Sequence, residues 1–225
     1  MKLGLKLSAL REAGRARLAA ADVRVLEETV ERLRMLQLAE DAPAPGESFP
    51  DFTLLDAGGA SVESGQLIGA LPLVMVFYRG GWCPYCDMTL RELEAVRPRI
   101  EAAGAELVAV SAEPPENLEA IAAAKGLGFR LFSDPELRLS RACGLLFEFT
   151  DAHVALYRRL GIDVPAHNVQ QDWSLPMAAT FVIDPSGTVV WSFIDPDWTR
   201  RADPDELVQL LETASTRQVK DPAIP

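Results

Sequence analysis

The sequence predicts an α/β domain behind a helical N-terminal extension, and three features carry that reading. Two strongly apolar runs, Leu71–Tyr78 and Glu106–Ser111, have the length of strands buried on both faces. Segments of helical periodicity alternate with these runs, as in a sheet covered by helices. Upstream, Leu26, Val30, Leu33 and Leu36 recur at helical spacing and stop before the breaker-rich stretch Asp41-Ala42-Pro43-Ala44-Pro45-Gly46.

The extension is expected over residues 1–41, a linker over 42–45 and the main domain over 46–225. It comprises a helical stretch Leu3–Leu18 and an amphipathic helix within Ala16–Glu40, with Asp22 as N-cap and Glu28 four residues before Arg32. Its apolar stripe needs a cover, either the main domain or the same stripe of a second subunit in a homodimer. The domain begins with a strand Phe52–Leu55, a turn at Ala57-Gly58-Gly59 and a helical turn Ser64–Gly69 that leads into the central strand. A helix starts near Cys83 and passes Leu90, Leu93 and Val96, with Pro98 expected to kink or stop it. Pro115–Lys125 reads as a helix opened by prolines, Phe129–Phe132 as a strand and Glu136–Cys143 as a helix. Between Leu145 and Met177 only Ala152–Leu160 is helical, and an irregular run of that length often serves function. A hairpin, Thr180–Ile183 with Thr188–Phe193 around Asp184-Pro185-Ser186-Gly187, and a last helix Asp205–Thr213 complete the chain.

At 225 residues, with 48% hydrophobic and 24% charged residues, the composition is that of a globular protein with a sizeable core. A formal net charge of -11 repels phosphate backbones and anionic lipid, so neither nucleic acid nor membrane is an expected partner. No apolar run approaches the roughly 20 residues of a membrane-spanning helix. The N-terminus lacks a signal-peptide pattern, and three cysteines are too few for a secreted disulfide framework, so the chain reads as cytoplasmic.

Chemistry concentrates in Gly81-Trp82-Cys83-Pro84-Tyr85-Cys86. Cysteines at i and i+3 in a first helical turn lie about 5 to 6 Å apart at Cα, inside the range a disulfide tolerates. The free N–H groups of a helix start favour thiolate over thiol. Pro84 suits that first turn, Trp82 offers an apolar wall or core packing, and Arg79 reads equally as a charge for the sulfur or as a structural ion pair. Asp87 would oppose the thiolate if it pointed at it. A zinc site wants four ligands, and only Cys143, His153 and His167 remain, far off in sequence, so no metal or cofactor is expected. Cys143 reads as a buried small hydrophobe and the two histidines as exposed loop residues.

Three segments in order, Pro50-Asp51-Phe52-Thr53-Leu54, Phe77-Tyr78-Arg79-Gly80-Gly81-Trp82-Cys83-Pro84-Tyr85-Cys86 and Ala179-Thr180-Phe181-Val182-Ile183-Asp184-Pro185-Ser186-Gly187, resemble the peroxiredoxin-like branch of the alkyl hydroperoxide reductase and thiol-specific antioxidant family, thioredoxin superfamily. The resemblance spans roughly Gly46 to Leu211 and implies a thioredoxin-like fold, a central mixed sheet flanked by helices. It implies an oxidoreductase that reduces hydroperoxides through the Cys83/Cys86 redox pair and is recycled by a thioredoxin-like or glutathione-type reductant. Catalytic residues are then Cys86, Cys83 and Arg79, with Tyr78, Trp82, Pro84, Tyr85, Pro176 and Ala178 around the substrate. The peroxiredoxin register makes Cys86 the attacking sulfur, whereas the thioredoxin and glutaredoxin register makes it Cys83. Three residues before Phe181, where peroxiredoxins carry arginine and reductases a cis-proline, this chain has Ala178; Arg79 is the candidate replacement and Pro176 the nearby proline. Two other readings stand beside the peroxidase: a thiol-disulfide oxidoreductase, from the Cys-Pro-Tyr-Cys pair, and a binding protein whose helix Leu26–Leu36 is switched by the redox state.

Overall fold

The structure, a computed structural model, describes residues 2–220, with side chains through 215. The expected outer bounds, residues 1 and 225, lie outside them. Two helices open the chain, α1 (Leu3–Arg15) and α2 (Ala20–Met35), followed by a 3-10 turn Leu38–Glu40. Both are shorter than their periodicity predicts. Asp22 does not cap α2; Ala19 holds the cap position and the Asp22 carboxylate accepts a bond from Arg159. At the other end Gln37 takes a left-handed φ of 53°, which turns the chain out of the helix.

Seven strands form one sheet in the order β2-β1-β5-β4-β3-β8-β9. They are β1 (Thr53–Leu55), β2 (Ser61–Glu63), β3 (Leu73–Phe77), β4 (Glu106–Ser111), β5 (Arg130–Ser133), β8 (Ala179–Ile183) and β9 (Val189–Ile194). The pairs β3·β4 and β4·β5 are parallel, and β1·β2, β1·β5, β3·β8 and β8·β9 antiparallel. Three residues each, β6 (Leu146–Glu148) and β7 (Ser174–Pro176) pair separately within the stretch that reads as irregular in sequence. Neither they nor β2 are among the strands the sequence predicts, whereas the equally short β1 is.

The remaining helices are α3 (Ser64–Leu67), α4 (Pro84–Ala102), α5 (Pro115–Lys125), α6 (Arg138–Ala142), α7 (Asp151–Arg159) and α8 (Pro204–Lys220). Pro98 does not end α4, which continues to Ala102 and buries Ile100 completely. That burial, about 1.5 to 3 kcal/mol, offsets much of the roughly 3 kcal/mol of an interior proline. The helix expected over Glu136–Cys143 is broken instead, because Glu136 and Leu137 both have positive φ and the Asp134 carboxylate receives the N–H groups of Leu139 and Ser140. The last helix runs well past Thr213.

Every residue of β3 is buried, and its alternation deals side chains to two cores. Leu73, Met75 and Phe77 join a core with Phe49, Phe132, Phe181 and Cys143. Val74 and Val76 join the other with Leu90, Leu93, Ile100, Leu207 and both cysteines of the pair. The extension is covered by its own chain: Leu3 and Leu7 are buried, Lys6 reaches Glu92 of α4 at 2.6 Å, and α2 lays Thr29 and Leu33 against the α7 side. Within the expected stripe only Leu33 is fully buried, and Leu36 is exposed.

Candidate active site

Strand β3 ends by delivering Tyr78 and Arg79 into the interior, with Tyr78 N–H donating to Val110 O at 3.0 Å. The chain then turns at Gly80, whose φ of 144° suits glycine and where a Cβ would sit 2.3 Å from Trp82 Nε1. Glu113, 1% exposed, fixes this turn by accepting Gly81 N–H at 2.8 Å. Cys83 caps α4, Pro84 takes its first position and Cys86 lies one turn in.

Both sulfurs are buried, each residue 1% exposed, and no disulfide joins them. Cys86 Sγ accepts Arg79 N–H at 3.4 Å and Arg201 Nη2 at 3.7 Å; Cys83 Sγ accepts Arg79 Nη1 at 3.9 Å. Burial works against a Cys86 thiolate, but the Cys83 S–H, the Arg201 charge and the Arg79 N–H and guanidinium together hold its pKa below the ordinary thiol value. Cys83, the donor of that bond, is raised by it and by burial.

Arg79 is itself 2% exposed and has no carboxylate partner among the described residues. Its Nη2 donates to Tyr157 Oη at 2.9 Å, and its guanidinium lies 5.1 Å from the Trp82 and Trp198 ring centres and 5.9 Å from those of Phe149 and Tyr157. An ion-pair role is therefore not what places it. Asp87 turns away: Lys125 at 2.7 Å and Arg91 at 3.2 Å hold it, keeping its carboxyl below the usual range although burial opposes them.

The histidines are not both exposed loop residues. His153 is wholly buried on α7, in edge contact with Phe149 and Tyr157, because Thr29 of α2 meets its Nδ1 at 2.9 Å. Thr29 gives its one hydroxyl proton to Val25 O, so Nδ1 carries the histidine proton and Nε2 is left unpartnered. His167 sits in a 3-10 turn, 3.6 Å from Glu113. Cys143 lies in the other core, across the sheet from the pair, and burial pushes its thiol up.

Of the remaining expected pocket residues, Tyr85 is half-buried and Pro84 exposed. Tyr85 and Trp198 meet Arg11, Leu18 and Leu26 of the extension around a groove of about 750 Å3. Ala178 precedes the residue that pairs with Phe77 at the end of β3, and Pro176 belongs to β7, opposite Leu146. No peptide bond among the described residues is cis. Sequence reasoning missed Glu113, Tyr157, Trp198 and Arg201. The unusual length of 145–177 was the one signal for Tyr157; nothing local marked Arg201.

A cysteine pair that opens a helix behind the central strand of this mixed sheet defines a thioredoxin-fold protein with a Cys-x-x-Cys site. The chain belongs to the AhpC/TSA family, whose profile matches residues 45–192. It is similar to a Mycobacterium tuberculosis protein named as a peroxiredoxin, 32% identical over 100 residues, which are 44% of this chain and 63% of that relative. It is also similar to the thiol-disulfide oxidoreductase ResA of Halalkalibacterium halodurans, 30% identical over 101 residues, 44% of this chain and 56% of the relative. Among solved structures, reduced Prx3 of Vibrio vulnificus in complex with hydrogen peroxide superposes with a TM-score of 0.61 at 16% identity, over 75% of this chain and 99% of that one. The extension, Trp198, Arg201 and α8 all fall outside the family match.

Proposed function

We propose that the protein is a thiol peroxidase in which Cys86 attacks the hydroperoxide and Cys83 resolves it. The carrying observation is the crowd of donors on Cys86 Sγ, Arg79 N–H at 3.4 Å and Arg201 Nη2 at 3.7 Å, with Cys83 one turn away. The Cys86 thiolate attacks the peroxide oxygen that bears hydrogen; an S–O bond forms, the O–O bond breaks and its electron pair leaves with the distal oxygen, which takes a proton from solvent. Sulfur becomes a sulfenic acid and the peroxide an alcohol or water. Cys83 sulfur then attacks Cys86; the S–S bond forms, the S–O bond breaks, and hydroxide leaves with the Cys83 proton as water. A thioredoxin-like or glutathione-type reductant restores both thiols. The Arg79 guanidinium, held by Tyr157, stabilises the developing negative charge.

Turnover of hydrogen peroxide and an organic hydroperoxide with a thioredoxin system tests this. Wild type turns over, Cys86→Ser does not, and Cys83→Ser gives one equivalent of product with a trappable sulfenic acid on Cys86. Absence of turnover in wild type with both donors defeats the reading.

Disulfide exchange is the second reading, favoured by the complete Cys-Pro-Tyr-Cys pair and by the likeness to ResA. With each cysteine only 1% exposed, a peroxide is the better fit than a protein disulfide. Insulin reduction separates the two. Among the described residues no helix is long and apolar enough to cross a membrane. A reducing cytoplasm suits a pair of free thiols, and a homodimer through the N-terminal helices would have to use Leu5, Met35 and Leu36, the large apolar residues those helices leave exposed.

A further inference from the structure

We propose that Arg201 is the residue that selects Cys86 rather than Cys83 as the reactive sulfur; this rests on the peroxidase reading above for its consequence but not for its test. The two cysteines share one core and the same 1% exposure, so burial does not separate them, and the helix end, where Cys83 holds the N-cap and Cys86 lies one turn in, does not single out Cys86. What separates them is the pair of guanidiniums. Arg79 points its Nη1 at Cys83 from 3.9 Å while giving its backbone N–H to Cys86 at 3.4 Å. Arg201 points only at Cys86, from 3.7 Å.

Arg201 comes from the loop between β9 and α8 and is fixed there, since its Nη1 donates to the carbonyls of Trp198 and Arg200. No carboxylate among the described residues pairs with it, so its charge is available to the sulfur. The same loop seats Trp198 over Arg79. The other groups facing the sulfur are Cys83, Arg79, Tyr78 and Tyr157; of the two guanidiniums, Arg79 touches both sulfurs, whereas Arg201 bonds Cys86 directly and reaches Cys83 only through its charge. A cation at this range stabilises a thiolate, and the sulfur that holds the negative charge is the nucleophile.

The test needs no peroxide. Limiting iodoacetamide followed by peptide mass spectrometry gives the Cys86:Cys83 labelling ratio, and absorbance titration of the Cys83→Ser protein gives the pH at which Cys86 becomes thiolate. Cys86 should dominate in wild type. Arg201→Gln, which keeps amide donors for the loop carbonyls but removes the charge, should lower the ratio at least about ten-fold and raise the Cys86 midpoint by about 1 to 3 pH units. Arg201→Lys should restore most of both. An unchanged ratio and midpoint in Arg201→Gln overturns the proposal, as does a wild type labelled first at Cys83. A purely structural role would alter folding equally in the Gln and Lys proteins and would leave Lys without rescue, which also overturns it. Loss of peroxide turnover in wild type with the labelling pattern intact would defeat the peroxidase reading and leave the selection standing.

Discussion

Acidification should destabilise this protein through one buried histidine. His153 is fully buried, and burial, helped by the nearby Arg79 charge, pulls its pKa from an ordinary 6.5 down to about 3. Protonation would place a second cation beside Arg79, on an Nε2 that has no hydrogen-bond partner. Above pH 6.5 the imidazole is neutral in both folded and unfolded chains, and it has no effect on stability. Between 6.5 and about 3 only the unfolded chain binds the proton, so stability falls as pH falls through that window. At pH 5 the gap to the ordinary value is about 1.5 units, which at 1.36 kcal/mol per unit costs about 2 kcal/mol. For a chain of this size that is about 4 to 8 °C in Tm. Urea unfolding followed by far-UV circular dichroism at pH 7.5 and pH 5, in wild type and His153→Gln, isolates the histidine, because the carboxylates titrate alike in both. Wild type should lose about 2 kcal/mol more than the variant between the two pH values. Equal losses would refute the reasoning, and would mean that water or a rearranged Thr29 accepts the charge.

Three further outcomes are expected. Tyr157→Phe keeps the ring against Arg79 and His153 but removes the acceptor 2.9 Å from Arg79 Nη2; leaving that buried donor unpaired should cost about 1 to 3 kcal/mol in denaturant unfolding, and a loss below 0.5 kcal/mol would mean the donor has found another acceptor. Gly80→Ala should displace Trp82, whose Nε1 lies 2.3 Å from the new Cβ, with the strain of a φ of 144° added; tryptophan fluorescence should change along with a stability loss of about 2 kcal/mol or more, and an unaltered spectrum would contradict the geometry. Leu33→Ala should cost about 2 to 5 kcal/mol, because Leu33 is 1% exposed in the core shared with the main domain; if the extension were a loosely held attachment, the global unfolding transition would not move.

The strands and helices that line the site were legible in the sequence wherever a strong local pattern ran for five residues or more. Leu73–Phe77, Glu106–Ser111 and Pro115–Lys125 are fixed by uninterrupted apolar residues or by a prolyl helix start, and local preference and tertiary packing agree there. Pro98 and Asp134 show where they part. At Pro98 the burial of Ile100 outweighs a helix breaker, and at Asp134 a side chain outcompetes the helix that the periodicity of 136–143 predicts.

By itself the sequence determined that two cysteines open a helix behind the central strand, because i, i+3 spacing and the proline between them are local facts. Which sulfur is favoured is not local. The groups that surround the pair come from Arg201, 115 residues away from Cys86, and from Tyr157, 78 residues from the Arg79 it holds. Charge and hydrogen bonds act through space over a few ångströms, and only the folded chain brings the β9–α8 loop and α7 to the end of β3.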